Sequence, residues 1–189
     1  MKFTLSLTAA VLTLIHHSTA AALLKPRATS FKLYAYGHNI TNGLDVFIAD
    51  GVAYAGNQAP SNATSVANVT LTTTDSDDGA WTVTADSGEF DSVYWGISSS
   101  GNSMETVGVT NSTSSMNTTG FGLYGAWAYH LSEAGEIEMN YRAVPTGVDD
   151  LYVIKWAPSA TIDDESLLIN LRTASPVPQT DKTKHKNRN

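Results

Sequence analysis

The stretch Leu44-Asp45-Val46-Phe47-Ile48-Ala49-Asp50-Gly51-Val52-Ala53-Tyr54-Ala55-Gly56 decides the fold class. Two alternating apolar runs flank Asp50-Gly51. Asp-Gly supplies the positive φ angles of a type I′ turn, whose twist matches a pair of antiparallel strands. Side chains two apart on a strand share a face, so each run offers one face to a core. The pattern returns in VTLTTTDSDDGAWTVTA, where Val69 to Thr74 and Ala80 to Ala85 read as strands around an Asp/Ser/Gly turn. Leu71 and Thr73 share a face of the first strand, and Trp81, Val83 and Ala85 share a face of the second.

Working outward, the same signature of Val, Thr, Tyr, Trp and Phe between Gly, Asn, Asp and Ser recurs. It covers Phe31 to Tyr36, Ser92 to Ser98, Met104 to Thr110, Gly120 to His130, Ile137 to Ala143, Leu151 to Trp156 and Leu167 to Arg172. No window of useful length past the N-terminus carries a 3.6-residue apolar period. The expected fold is all-β: an antiparallel β-sandwich, jelly-roll-like, of about ten to eleven short strands.

The flanks read differently. Met1-Lys2, the apolar run Phe3 to Ile15 and the small residues Ser18 to Ala22 follow the order of an export signal. Residues 1–20 are expected to be a signal peptide and 21–29, with Lys25-Pro26-Arg27, a linker or short propeptide. Residues 30–174 form the β domain. Residues 175–189, proline-containing and ending in KHKNRN, read as a disordered basic tail. Neither the run Phe3 to Ile15 nor any other stretch reaches the ~20 apolar residues that span a bilayer. The expected destination is the extracellular space, in solution or in a cell wall.

Composition narrows the chemistry. The chain has 189 residues, a net charge of -7 and no cysteine. Thiolate zinc sites and cysteine nucleophiles are excluded. An exported domain of this length can rest on core burial without disulfides. No Lys or Arg falls between Lys32 and Arg142, so this segment cannot build the basic groove that nucleic acid requires.

Asn39, Asn62, Asn68, Asn111 and Asn117 each open an Asn-x-Ser/Thr triplet without proline, the acceptor motif for N-glycans in an exported chain. Asn62, Asn111 and Asn117 lie in polar stretches expected to be loops. Asn68 opens a strand and suits a glycan only with its side chain facing solvent.

Catalytic signals are sparse. His38 and His130 are the histidines of the β domain, and Gly96-Ile97-Ser98-Ser99-Ser100 lacks the second glycine of a nucleophile elbow. Glu136 and Glu138, two apart on an expected strand, share a face at a spacing near the lower end of that used by glycosidase carboxylate pairs. A solvent-facing strand edge is the preferred account of them. Asp75-Ser76-Asp77-Asp78-Gly79 clusters oxygen ligands but lacks calcium-loop spacing, and a hairpin turn explains it. No metal and no cofactor is expected. Aromatic residues are the stronger lead. Trp95, Trp127 and Tyr129 are candidates to stack on sugar rings, with a place in the core as the competing reading.

The run SFKLYAYGHNITNGLDVFIADGVAYAGN (Ser30 to Asn57), with TGFGLYG (Thr119 to Gly125) and LLINLRT (Leu167 to Thr173), resembles a group of small secreted proteins of filamentous fungi that lack an assigned activity. The resemblance implies a β-rich fold and an extracellular or cell-wall location, and it carries no catalytic residues across. The function expected is that of a non-enzymatic secreted glycoprotein. A carbohydrate-binding module that meets cell-wall or host polysaccharide is the first alternative, and a glycan-active hydrolase using Glu136 and Glu138 the second.

Overall fold

The computed structural model describes residues 28–74, 76–100, 104–157 and 165–176. The signal peptide, most of the linker, most of the basic tail and Asp75 of the acidic turn lie outside the described residues. Fifteen strands follow in chain order: β1 (Ser30–Phe31), β2 (Tyr34–Gly37), β3 (Ile40–Ala49), β4 (Val52–Gly56), β5 (Val66–Thr73), β6 (Trp81–Ala85), β7 (Val93–Ser98), β8 (Glu105–Thr110), β9 (Met116–Asn117), β10 (Phe121–Tyr124), β11 (Trp127–Leu131), β12 (Ile137–Glu138), β13 (Tyr141–Pro145), β14 (Leu151–Trp156) and β15 (Leu167–Arg172). Every pairing is antiparallel. Among the described residues no helix is long and apolar enough to cross a membrane.

The all-β antiparallel expectation holds, but the sandwich gives way to a closed barrel of 10 strands. The reason lies in β3, whose 10 residues outreach its neighbours. One edge of β3 bonds β4. The other bonds β2 along its first half and β5 along its second. From β5 the pairing runs through β6 and β7 to β8, and β8 meets both β4 and β14. From β14 it continues through β13 and β15 back to β2. Two separate sheets would each need free edges, and this circuit leaves none within the barrel wall. The hairpin β10–β11 extends outward from β15, and β12 pairs with β11.

Local details follow from single residues. Asp50 (φ 47°) and Gly51 (φ 80°) form the expected turn. The Asp50 carboxylate accepts hydrogen bonds from the Thr64 amide and hydroxyl and the Ser65 amide, which ties the 57–65 loop to the hairpin. Expected strands break in two places. Gly120 to His130 folds back at Gly125 (φ 62°) as the hairpin β10–β11, and Ile137 to Ala143 divides into β12 and β13. The short β9 emerges from a stretch that reads as loop. It pairs with β7, where a Cβ on Gly96 would stand 2.9 Å from that of Met116.

The interior is filled with side chains. Phe31, Trp81, Phe121, His130, Trp156 and Tyr141 form a continuous run of ring contacts with centroids 4.9–5.6 Å apart. Trp95, Leu33, Leu71, Ile154, Ile169 and Leu171 pack among them. Each fully buried large side chain contributes roughly 1.5–3 kcal/mol, and these replace disulfides in a chain that has none. A second cluster of Phe47, Ala49 and Leu151 lies on the outer side of β3, covered by Tyr54 and Ala63. The second half of β3 is therefore buried on both faces.

The seam between β4 and β8 is the tightest backbone approach. Val52 pairs with Gly108, the Val109 amide donates to the Gly51 carbonyl at 2.9 Å, and a Cβ on Gly108 would stand 2.2 Å from that carbonyl oxygen. Backbone has little room to yield, so Gly108→Ala is expected to destabilise the barrel by about 1–3 kcal/mol, measured as the change in urea midpoint at constant slope.

Candidate functional site

Core side chains occupy the barrel interior, which directs attention to the outer surface. Three of the four tryptophans, Trp81, Trp95 and Trp156, are buried in the core. Trp95 is 0% exposed, so it is corrected from sugar-binding candidate to core residue. Its neighbour Tyr94 takes the opposite face of β7, as adjacent strand residues must. The fourth tryptophan, Trp127, is 38% exposed and shares the outer face of β11 with the half-buried Tyr129.

Around Trp127 the register assembles an aromatic face from β2, β15, β11 and β10. Trp127 pairs with Arg172 of β15 and with Tyr124 of β10, which is 69% exposed. The Arg172 guanidinium lies 5.1 Å from the Trp127 ring centroid and 5.1 Å from that of Tyr36 on β2. One cation thus sits against two rings, an arrangement worth about 0.5–1 kcal/mol per contact at an exposed site. Tyr36 is held by its hydroxyl, which donates to the Ala174 carbonyl at 3.0 Å. Its ring covers Gly43, where a Cβ would meet ring atoms at 2.6–2.9 Å. Tyr129 covers Gly122 in the same way, with ring atoms and hydroxyl 2.3–2.8 Å from that ideal Cβ. Glycine here lets the aromatic rings lie down on the sheet instead of standing off it. Beyond Tyr129, the exposed Leu131 and Ile137 are register partners.

Tyr36, Tyr124 and Arg172 escaped the sequence reading. The available signal was a glycine inside each of two strand patterns, Gly43 and Gly122, together with one of the few basic residues of the domain placed within a strand.

The carboxylate pair is not drawn into a cleft. Glu136 is exposed in the turn before β12, and Glu138 is half-buried as the register partner of His130. His38 is exposed in the β2–β3 turn. The acidic turn is an intramolecular brace, in which Asp78 accepts from the Ser76 hydroxyl and the Ala80 amide. These bonds hold its carboxyl below the usual range. No group of three or more metal-ligating side chains occurs among the described residues. A buried carboxylate that the sequence did not single out, Glu105, accepts from the Ser98 hydroxyl and from the Ser100 hydroxyl and amide, bracing the β7–β8 connection.

All five sequon asparagines are exposed, and Asn68 faces outward from β5. Asn117 differs from the others: its amide nitrogen stands 3.2 Å from His130 Nε2, and its oxygen accepts from the Thr119 amide.

His130 occupies the middle of the aromatic run, between Phe121 and Trp156. Burial there lowers its pKa from the ordinary value of 6.5, partly opposed by a hydrogen bond to the Thr119 backbone. The unfolded chain therefore takes up a proton at this residue at a higher pH than the folded chain does. Its contribution is full above about pH 6.5 and is lost as the pH falls from there through the lowered value of the folded chain. Thermal melts are expected to show a lower Tm at pH 5 than at pH 7.5, and His130→Phe is expected to flatten part of that slope.

No protein-family model, no curated protein and no solved structure matches the chain.

Proposed function

We propose that this is an extracellular, non-enzymatic β-barrel glycoprotein that binds cell-wall or host polysaccharide on the outer face of β2, β15, β11 and β10. We place it with the small secreted proteins of filamentous fungi that Ser30 to Thr173 resembles. The observation that carries the reading is the Tyr36–Arg172–Trp127 stack, continued by Tyr129 and Tyr124. Pyranose rings present C–H faces that stack on aromatic rings, while their hydroxyls need polar groups at the margin. Arg172, the outward Asn170 and the tyrosine hydroxyls supply such groups. Rings already pinned by a cation, a backbone carbonyl and two glycines lose little freedom on binding, which lowers the cost of association.

The five exposed sequons support the glycoprotein part of the proposal. The hydrolase reading draws less support. Its two carboxylates sit at a turn and on a two-residue strand, and they line neither the groove around Asp45 nor the one around Asp149.

The test is retention of the secreted protein on insoluble β-glucans, chitin and plant-wall polymers. Wild-type protein is expected to be retained on at least one polymer. Trp127→Ala is expected to weaken retention about tenfold, the equivalent of ~1.4 kcal/mol, as suits the loss of one stacking ring. Glu138→Gln is expected to leave retention unchanged. Failure of the wild type to bind any of these polymers overturns the reading.

A further inference from the structure

A second surface feature adjoins the aromatic face along β2, β3 and β5: Tyr34, which lines it, is the register partner of Arg172. Two depressions, of about 270 Å³ and about 130 Å³, share Asp45 and Asn68 as common walls. They adjoin at these two residues as one grooved surface around Asn68. Gly56, Asn57 and Gln58 line its first part; Lys32 and Tyr34 line its second.

Asn68 lies within β5, opposite Phe47 of β3, and on its other edge its carbonyl accepts from the Asp86 amide at 2.8 Å. A turn residue can send a glycan straight out from the protein. A mid-strand residue in a sheet surface launches it from the floor of the groove itself. Asn39 borders depressions too, but it sits at the tip of the β2–β3 turn, from which a glycan leaves the surface.

The chemistry of the walls suits an N-acetylated sugar. Asp45 is exposed, and its carboxylate takes no hydrogen bond from the described residues, so it is available to accept from sugar hydroxyl or acetamido N–H groups. Asn57 and Gln58 bring amides that both donate and accept, and Gln58 is already positioned by its bond to the Asp149 carbonyl at 3.0 Å. Val66, 42% exposed and two residues before Asn68 on the same face, offers apolar surface for the C–H face of a pyranose.

We infer that Asn68 carries an N-glycan whose first sugars lie back in this groove, against Asp45, Gln58 and Val66, as a built-in part of the barrel surface. The inference rests on the extracellular glycoprotein reading above. Its covalent step is the ordinary one: the Asn68 amide nitrogen replaces the lipid-linked phosphate at the anomeric carbon, with loss of one amide proton. The occupant is attached, so its effective concentration at the groove is high and even weak contacts hold it.

The test uses the full chain secreted from a glycosylating host, with site occupancy read by mass after amidase conversion of each Asn to Asp. Under native conditions the Asn68 glycan is expected to be released at least tenfold more slowly than those at Asn62 and Asn111, because its linkage is covered. Asp45→Ala, which keeps the sequon, is expected to bring the Asn68 rate toward that of the loop sites. Asn68→Gln is expected to lower Tm by about 2–4 °C, the shift that ~1 kcal/mol produces in a domain of this size, while Asn111→Gln leaves Tm unchanged. Equal release rates with no Tm difference overturn the docking. Occupancy at other sites with none at Asn68 overturns this inference and spares the glycoprotein reading. No glycan at any site overturns both.

Discussion

The barrel depends on β3 being hydrogen-bonded along both edges by three different strands. Val46 marks the handover: it pairs with Ala55 of β4 on one side, while its amide donates to the Leu33 carbonyl on the other at 3.1 Å. One residue later the second side belongs to β5. A strand that serves β2 and β5 in succession joins them into one closed wall. Both faces of its second half are apolar, which gives it the burial of a central strand in an architecture where strands ordinarily have one wet face. The turn at Asp50-Gly51 sets the register of this strand against β4, and Asp50 then fastens the loop that covers its outer side.

From that closure follows the division of labour between inside and outside. A barrel of this strand number has a wide interior, and this one is occupied by tryptophans and tyrosine rather than left as a cavity. The Trp95 indole N–H and the Tyr141 hydroxyl lie together in the core, where the indole's interaction with the phenol weakly offsets the cost of burial. Burial also pushes the Tyr141 phenol far up, so it stays neutral. The aromatic residues left outside are then conspicuous. Tyr36, Tyr124, Trp127 and Tyr129 gather on one face beside glycines and Arg172, while Tyr54 and Tyr94 lie elsewhere on the wall.

What was legible in the sequence was local. Asp50-Gly51, the paired alternating runs and the strands over Leu151 to Trp156 and Leu167 to Arg172 depend on neighbours in the chain, and they stand as read. Closure depends on which distant strand meets which, and an alternating run looks the same in a sandwich and a barrel. Trp95 and Trp127 illustrate the limit at the level of one residue. Alternation shows that Trp127 and Tyr129 share a face, and that Tyr94 and Trp95 do not, but it does not say which face is inside. The stack of Arg172 between Tyr36 and Trp127 joins residues from opposite ends of the domain, so no window contains it. Glu105 reads as an ordinary strand-end acid until Ser98 and Ser100 are folded around it.

The pairing of β2 with β15, Tyr34 opposite Arg172, brings the start of the domain against its end. Closure at this seam therefore waits for the last strand to be made, and such long-range pairing is the slow part of folding. Until then β2 presents an unpaired edge, the kind of surface on which partly folded chains associate. Tyr36, Arg172 and Trp127 straddle that seam, so the aromatic face comes into being only when the ring is complete. A chain that stops short of β15 would lose the closing strand and the cation of the stack together. The recognition proposed for this surface would in that sense be a readout of finished folding.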